Sequence, residues 1–279
     1  MLGDLSRDDV AMEMDEMKNN DKNTKLATII LAAGKGTRMR SDLAKVLHPL
    51  YGKPMVAYPI ELARTVGSEI IAVIVGHQAD KIKESIKGDD LVFVHQEQQL
   101  GTGHAVLRCR DALQAFQGQI LILCGDVPLL LPATIEALRD EHVSHQAVVT
   151  VLTTLFDDPT GYGRVVKNES DTILKIVEER DATDEERKIK EINSGIYCVE
   201  SKFLFEAVGR INNDNAQGEY YLTDILEIAS GMNYTAQSFI LDDPLEVMGI
   251  NTVEDLEKAN RIMEERRRRN FLAKENPKL

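Results

Sequence analysis

The sequence predicts an α/β fold built on a parallel, doubly wound sheet, and three observations support it. Residues 26–155 alternate short apolar runs with segments of helical period, a pattern typical of βαβ units. The 279 residues are enough for one large α/β domain with a sizeable core. Apolar residues make up 43% of the chain, yet no apolar run approaches the roughly 20 residues that cross a bilayer. We therefore expect a soluble protein with no membrane partner.

The elements of the sheet can be assigned in order along the chain. Residues 1–25 mix Met, Asp, Glu, Lys and Asn without an apolar period, and we interpret them as a disordered or helical tail. Short apolar runs then predict buried strands at residues 26–31, 70–75, 91–94, 120–123 and 147–152. Segments of helical period between these strands predict helices at residues 55–66, 79–87, 104–116 and 133–142.

The pattern changes after Leu155. Strand-like runs at residues 163–167, 172–177 and 192–199 are separated by turns, and a helix is predicted at residues 219–229. We expect these residues to form an inserted, partly antiparallel region that caps one edge of the sheet.

A final helix is predicted to begin at Thr252. This threonine is the expected N-cap, Asp255 lies near the third helical position, and the helix runs to Phe271 or beyond. The basic residues 266–269 suit the negative end of the helix dipole, and Pro277 prevents continuation. The predicted domain therefore covers residues 26–251, and residues 252–279 form a C-terminal helix.

Composition and charge exclude several classes of function. A net charge of −13 gives no general footprint for nucleic acid or anionic lipid, so an anionic ligand needs a local cationic site. The N-terminus leads into an acidic stretch without the apolar core of a secretory signal, so a cytoplasmic protein is expected. Cys109, Cys124 and Cys198 are widely spaced, which argues against a disulfide framework and against a zinc site.

A glycine-rich loop, L-A-A-G-K-G-T-R-M at residues 31–39, follows the first strand directly. Small residues there let backbone N–H groups approach an anion. Met39 stands where the dinucleotide fingerprint requires its third glycine, and no acid occurs from residue 43 to residue 60, which argues against a dehydrogenase. Gly52-Lys53 is followed by Pro54, so the P-loop of an NTPase does not fit either.

Basic residues concentrate around this loop. From Gly34 to Lys53 the chain has five basic residues and one acid, Asp42. In an acidic chain this local excess predicts a polyphosphate site. The glycines alone fit an ordinary βα turn with solvated charges equally well.

Two further motifs follow buried strands. Residues 96–105, Q-E-Q-Q-L-G-T-G-H-A, combine planar amides that pair with the polar edge of a pyrimidine and glycines that admit the base. Asp126 follows the strand at 120–123, where open α/β sheets bind ligands, and a carboxylate there suits Mg²⁺ that bridges nucleotide phosphates. Composition alone fits a polar loop and a turn-forming aspartate more readily.

Motifs in the second region are polar strand ends and turns. Residues 158–164, 176–179 and 191–195 each fit a structural role when taken alone. A carboxylate and an amide on adjacent strands are nevertheless suitable partners for sugar hydroxyls and an acetamido group. Asn251 is by default a helix cap. The sequence establishes no pairing of its six histidines with a Ser or Cys nucleophile, so none is assigned catalysis.

Taken together, these motifs resemble the nucleotidyltransferases that activate sugar phosphates. More narrowly, residues 26–260 resemble the uridyltransferase half of the bacterial bifunctional N-acetylglucosamine-1-phosphate uridyltransferase and glucosamine-1-phosphate acetyltransferase. The resemblance implies a GT-A-like, Rossmann-like doubly wound mixed sheet with an inserted, partly antiparallel sugar-binding region. Two positions depart from the family pattern, because Ala44 replaces a common proline and Cys124 stands where some relatives have tyrosine.

The resemblance implies a set of functional residues in this chain. The catalytic cations would be Arg38 and Lys45, and the ligands of Mg²⁺ would be Asp126 and Asn251. Sugar contacts are implied for Gly161, Glu178 and Asn193. Nucleotide contacts are implied for Leu31, Ala32, Ala33, Gly34, Gln96, Gln99, Gly101, Thr102, Cys124 and Gly125.

The implied activity is Mg²⁺-dependent uridylyl transfer from UTP to N-acetylglucosamine 1-phosphate, giving UDP-N-acetylglucosamine and pyrophosphate for cell-envelope precursors. Alternatives are uridylyl or thymidylyl transfer to another hexose 1-phosphate, and a non-catalytic UDP-sugar-binding homologue. The sequence stops at Leu279 without the hexapeptide repeats of a left-handed β-helix domain, so acetyltransferase activity is expected to be absent. A natural end and a shortened chain both fit. We also expect a monomer that binds no nucleic acid and depends on a separate acetyltransferase.

Overall fold

A mixed, nine-stranded sheet forms the centre of the computed structural model, which describes residues 24–34 and 36–275. The strands are, in chain order, β1 (Leu26–Ala32), β2 (Pro49–Leu50), β3 (Lys53–Pro54), β4 (Ile70–Val75), β5 (Leu91–His95), β6 (Gln119–Cys124), β7 (Val149–Leu155), β8 (Arg164–Lys167), β9 (Ile173–Val177), β10 (Glu191–Glu200) and β11 (Ala236–Leu241). Strands β2 and β3 form a separate hairpin. The order across the main sheet is β11-β7-β10-β6-β1-β4-β5, with β8 paired to β10 and β9.

The described α-helices cover both faces of this sheet. They are α1 (Ala57–Thr65), α2 (Ala79–Ser85), α3 (Thr102–Leu107), α4 (Arg110–Leu113), α5 (Pro132–Ser144), α6 (Ser201–Ala207), α7 (Asp224–Gly231) and α8 (Val253–Glu275).

Alternate strand residues face opposite cores, as the pleat of a strand requires. Ile29 of β1 packs in the core that includes residues of α3, α4, α6 and α7, and Ile30 packs in the core that includes residues of α1, α2 and α5. Both isoleucines are fully buried. A strand covered on both faces needs a continuous apolar run, which is why these strands are evident in the sequence. The predicted doubly wound mixed sheet is confirmed.

The strand order reverses at β1. This strand pairs in parallel with β4 on one side and with β6 on the other. Near its carboxyl end, Leu31 lies opposite Ile74 of β4 and Cys124 of β6. Chain connections leave in opposite directions at such a point and open a crevice at the carboxyl ends of the strands.

The position of strand β10 contradicts the prediction that this part of the chain caps one edge of the sheet. It runs antiparallel between β6 and β7, inside the main sheet, and residues 196–199 are buried. The inserted region is therefore smaller than expected and consists mainly of β8, β9 and the 3₁₀ helix Glu186–Lys188. The apolar pattern predicts a strand but carries no information on which strands lie beside it. An irregularity between Asn193 and Ile196 interrupts the pairing with β7 where β8 joins β10.

Several predicted boundaries also differ from the structure. The helix predicted at residues 104–116 begins at Thr102 and is divided into α3 and α4. The helix predicted at residues 219–229 begins at Asp224, because Tyr220 and Leu222 hydrogen-bond instead to Leu100 and to the first two residues of α3. Helix α6 and strand β11 were not predicted.

The last helix begins as predicted. Thr252 Oγ1 accepts the Asp255 N–H at 3.1 Å, and Asp255 Oδ2 accepts the N–H groups of Thr252 at 2.9 Å and Asn251 at 3.0 Å. The helix continues to Glu275, so residues 266–269 do not lie at its negative end, and that prediction is wrong. Arg266 instead donates to the Leu129 carbonyl at 2.5 Å.

Two predictions lie outside the part of the chain that the structure describes. They are the tail, of which only Thr24 and Lys25 are described, and the stop at Pro277. Within residues 24–34 and 36–275, no helix has both the length and the apolar character that a membrane span needs.

Candidate active site

A cavity of about 380 Å³ opens at the carboxyl ends of β1 and β6, at the point where the strand order reverses. It brings together nine of the ten predicted nucleotide-binding residues, with Gly125 as the exception, and two of the predicted catalytic and metal-binding residues, Lys45 and Asp126. Its full lining is Leu31, Ala32, Ala33, Gly34, Lys45, Val46, Ile74, Gln96, Gln99, Gly101, Thr102, Ala105, Cys124, Asp126 and Glu219. The sequence analysis did not predict the apolar side chains of Val46, Ile74 and Ala105 in this lining.

Gly36 packs closely against Lys45. Gly36 has a φ of +64°, and a Cβ there would overlap with Lys45 Cβ. A side chain at position 36 would therefore push Lys45 away from its place. The glycine-rich loop therefore fixes the position of Lys45, in addition to leaving room for an anion.

Ala44 has a backbone conformation that suits the proline common in the family. Its φ is −54° and its ψ is 136°, close to the values that a proline adopts in an extended segment. The Ala44 N–H, which a proline would lack, donates to Gln78 Oε1 at 3.1 Å, and Gln78 Nε2 donates to the Asp42 carbonyl. Gln78 therefore anchors the segment that leads into Lys45.

Four predicted residues, Arg38, Lys45, Asp126 and Asn251, form one polar cluster beside the cavity. Lys45 Nζ forms an ion pair with the Asp126 carboxylate and donates to Asn251 Oδ1 at 3.1 Å. Arg38 Nη2 donates to the same Oδ1 at 2.8 Å. A backbone hydrogen bond of 2.8 Å from the Ile250 N–H to the Asp126 carbonyl joins the two chain segments that carry Asp126 and Asn251.

The oxygen atoms of this polar cluster suit Mg²⁺ only if a bound nucleotide supplies further ligands. Asp126 and Asn251 supply one carboxylate and one amide oxygen, and Mg²⁺ is usually held by one or two such oxygens together with waters and substrate phosphates. No group of three or more His, Cys, Asp and Glu side chains suited to a metal occurs in the described part of the chain. The residues fit a metal shared with a nucleotide better than a site made by protein alone.

Gly101 and Thr102 join the start of α3 to the segment at residues 220–222. Gly101 has a φ of +112°, and a Cβ there would lie 2.5 Å from the Tyr220 carbonyl oxygen. Thr102 Oγ1 accepts the Leu222 N–H at 3.0 Å, and Gly103 N–H donates to the Tyr220 carbonyl at 2.8 Å. These two residues therefore have a structural reason to be present, in addition to the base contact implied for them.

Gln99 and Gly125 bind the end of β1 and the residue that follows it. Gln99 Nε2 donates to the Ala33 carbonyl at 2.6 Å, and the Gly125 N–H donates to the Leu31 carbonyl at 2.9 Å. A Cβ on Gly125 would lie 3.0 Å from that Leu31 oxygen. Gly125 thus packs behind the cavity wall, which explains why it does not line the cavity.

The predicted sugar residues lie outside this cavity, and the structure brings only two of the three together. The Asn193 N–H donates to the Gly163 carbonyl at 2.9 Å, and a Cβ on Gly163 would lie 3.5 Å from both carboxylate oxygens of Glu178. Gly161, in contrast, donates its N–H to Glu179 Oε2 at 3.2 Å. The second glycine of G-Y-G-R, and not the first, stands between the carboxylate and the amide.

Burial raises the pKa of the Glu178 carboxyl above its usual range. The neighbouring carboxylates of Asp181, Asp224 and Glu219 raise it further, while a hydrogen bond of 3.3 Å from Thr223 Oγ1 opposes them. Burial also raises the pKa of Asp224 to about 6, with Glu227 and Asp181 as the next causes. This region concentrates negative charge, which suits hydroxyl and amide donors of a ligand.

Tyr162 places the inserted region near the polar cluster. Burial is the main cause of its raised pKa, and the charges of Asp255 and Asp126 add to it. The ring also packs edge-on against Phe156, with 5.0 Å between the centroids. The G-Y-G-R turn therefore lies within electrostatic range of the Asp126 carboxylate.

Comparison with known proteins decides the family. A family model described as Nucleotidyl transferase matches residues 27–265. The chain belongs to the nucleotidyltransferase family. This nucleotidyltransferase is 53% identical over 240 residues to Bifunctional protein GlmU from Geotalea daltonii, covering 86% of this chain and 52% of that protein. It is 52% identical over 248 residues to Bifunctional protein GlmU from Geobacter metallireducens, covering 88% and 52%. The chain spans about half the length of these curated relatives.

A solved structure supports the fold of this nucleotidyltransferase. UDP-glucose pyrophosphorylase complexed with UDP-glucose aligns with a TM-score of 0.70 at 19% identity, covering 87% of this chain and 99% of that chain. At this identity the likeness establishes the shared fold alone.

Proposed function

We propose that this nucleotidyltransferase transfers a uridylyl group from UTP to N-acetylglucosamine 1-phosphate and releases pyrophosphate and UDP-N-acetylglucosamine. The observation that carries the proposal is the convergence of Arg38, Lys45, Asp126 and Asn251 at one edge of a cavity that is also lined by Gln96 and Gln99. Two cations and two oxygen donors suit a triphosphate, and planar amides suit a pyrimidine edge.

Both reactants are anions, so the main task of the site is to offset their repulsion and to hold the line of attack. An oxygen of the sugar 1-phosphate attacks the α-phosphorus of UTP, and the bond from that phosphorus to the bridging oxygen breaks as pyrophosphate leaves. Arg38 and Lys45 stabilise the charge that develops on the triphosphate. No covalent nucleophile of the protein takes part.

Asp126 and Asn251 would hold Mg²⁺, which supplies charge neutralisation of the phosphates when bound. Lys45 Nζ contacts the oxygens of both residues. A cation held by these oxygens would compete with the Lys45 ammonium group, for which the triphosphate oxygens would be alternative acceptors.

The sugar is recognised by Glu178, Asn193 and Gly163. Asn193 Oδ1 accepts hydrogen bonds from the Gly195 N–H at 2.9 Å and from the Tyr197 hydroxyl at 3.0 Å. The amide orientation is fixed by these donors, so Asn193 Nδ2 is the group that donates to the carbonyl of an acetamido substituent. The Glu178 carboxylate accepts from sugar hydroxyls. This pattern favours an acetamido sugar over plain glucose 1-phosphate.

Pyrophosphate release by the purified protein with UTP and Mg²⁺ tests the proposal. N-acetylglucosamine 1-phosphate, glucosamine 1-phosphate and glucose 1-phosphate are compared at equal concentration, with EDTA as the control for metal dependence. We expect strong preference for the first. Release with glucose 1-phosphate alone would transfer the assignment to a different hexose 1-phosphate, and release with none, together with metal-independent binding of UDP-N-acetylglucosamine, would support a binding protein. The expected monomer stays a prediction that light scattering checks.

A further inference from the structure

Gln96 has little freedom in how it presents its side-chain amide. The residue is 4% exposed and lines the cavity. Its Nε2 donates to the Gly101 carbonyl at 3.1 Å and lies 3.0 Å from His104 Nδ1. A carbonyl oxygen only accepts hydrogen bonds, so the nitrogen of the amide, and not its oxygen, must face Gly101.

The role of His104 follows from this orientation. An amide nitrogen carries two protons and no lone pair for a hydrogen bond, so His104 Nδ1 must be the acceptor of the second one. The imidazole is then neutral, with its proton on Nε2. Both Gln96 N–H bonds are used inside the protein, and Oε1 is the polar atom of the amide that is left for a ligand.

The orientation matters because uracil and cytosine differ at one edge. Uracil presents an N3–H donor between two carbonyl oxygens, whereas cytosine presents an N3 acceptor and an amino group. Gln96 Oε1 accepts from the uracil N3–H but faces a lone pair when cytosine takes the same place. An amide turned by 180° would reverse this preference.

We propose that His104 is the positioning residue that locks the Gln96 amide so that the site selects uracil over cytosine. This inference rests on the proposed function, because it assumes that a pyrimidine nucleotide occupies the cavity. His104 does not contact the base and acts through Gln96. Its position is held by α3, on which it is the third residue, and by the loop at Tyr220, whose ring centroid lies 6.4 Å from that of the imidazole.

The surroundings of His104 keep its imidazole ring uncharged. Partial burial is the main cause that lowers its pKa, and the positive charge of Arg108 lowers it further, while the Gln98 carbonyl opposes both. At neutral pH the ring is therefore uncharged, and Nδ1 keeps the lone pair that Gln96 needs.

Isothermal titration of UTP and CTP in the presence of Mg²⁺ tests the inference, with His104→Leu, His104→Asn and the matched control His145→Leu. The leucine removes the acceptor, and loss of one orienting hydrogen bond should lower the ratio of the CTP Kd to the UTP Kd by about tenfold. Asparagine can place Oδ1 near the position of Nδ1, so His104→Asn should keep a ratio close to that of the wild type. His145 is the exposed residue that directly follows α5, and its substitution should leave the ratio unchanged.

The outcomes separate this inference from the proposed function. If the wild type binds UTP no better than CTP, the proposed function itself fails. If the wild type prefers UTP and His104→Leu keeps the full preference, His104 has no positioning role, although uridylyl transfer stands. Should His104→Leu not fold, ¹⁵N NMR of the histidine rings in the wild type decides instead. The Nε2–H form of His104 is expected at neutral pH, and a proton on Nδ1 would overturn the proposal.

Discussion

Lys45 and Asn251 lie 206 residues apart in the chain, yet Lys45 Nζ donates to Asn251 Oδ1 at 3.1 Å. The lysine comes from the loop after β1, and the asparagine directly precedes α8. Asp126, after β6, completes the contact as the ion-pair partner of the same ammonium group. Three distant segments therefore meet at one point, which lies at the carboxyl edge of the sheet where β1 and β6 end.

Replacement of Lys45 by alanine should slow turnover more than it weakens the binding of UTP. A cation that stabilises charge mainly in the transition state lowers the barrier by several kcal/mol, so kcat should fall by about 100-fold or more when it is removed. Steady-state kinetics and titration of UTP measure the two effects. Lys53→Ala is the matched control, because Lys53 forms an exposed ion pair with Glu61. Equal losses in kcat and in affinity for Lys45→Ala would contradict a transition-state role.

Replacement of Glu178 by glutamine should weaken sugar binding and stabilise the fold at neutral pH. Burial raises the pKa of Glu178, so the folded state holds its proton more tightly than the unfolded state. The contribution of Glu178 to the free energy of unfolding is then largest below the ordinary carboxyl pKa, and it is lost as the pH rises through the raised pKa. Thermal unfolding from pH 4 to pH 8 should show a higher Tm for Glu178→Gln at the alkaline end and no gain at the acidic end. A gain that is equal at all pH values would point to a cause other than ionisation.

Removal of Glu179 should destabilise the inserted region. Its Oε2 accepts from Arg164 Nη2 at 2.7 Å, and the Arg164 side chain is 2% exposed. Loss of the partner leaves a buried guanidinium with fewer acceptors, which should cost about 2 kcal/mol because Glu179 is itself partly exposed. Urea unfolding of Glu179→Ala measures this value. Glu185→Ala, which breaks an exposed pair with Lys188, should change stability by less than about 0.5 kcal/mol.

The Arg164 guanidinium also lowers the pKa of the Glu179 carboxyl. The stabilisation from this pair should therefore be present above the ordinary carboxyl pKa and be lost as the pH falls through the lowered value. The stability difference between the wild type and Glu179→Ala should shrink on acidification. A constant difference down to pH 3 would contradict the ion pair as its source.

Glu246 should stabilise the start of α5. Its Oε2 accepts the Leu131 N–H at 3.0 Å and the Thr134 hydroxyl at 2.6 Å, and the residue is 6% exposed. Glu246→Ala leaves both donors unsatisfied at a helix N-terminus, which should cost about 2 kcal/mol in the free energy of unfolding. Glu246→Gln keeps an accepting oxygen and should lose about half as much. Equal effects of the two variants in a denaturant titration would argue against the capping role.

The strands around the cavity could be predicted because local chemistry specifies them. The strand predicted at residues 70–75 matches β4 residue for residue, since a strand buried on both faces must be apolar throughout. The capping contact between Thr252 and Asp255 was likewise evident from spacing alone. Helix α6 escaped prediction because its seven residues are too few to display a clear period.

The sequence by itself determined the class of fold, the local elements and the residue types of the candidate site, because helical and strand periods, caps and glycine turns depend on near neighbours. Only the tertiary structure decided which residues meet. It placed β10 inside the sheet, chose Gly163 over Gly161 beside Glu178, joined Lys45 to Asn251 and turned the Gln96 amide toward His104. Such contacts depend on strand order and on the packing of side chains in three dimensions, and no spacing along the chain encodes either of them.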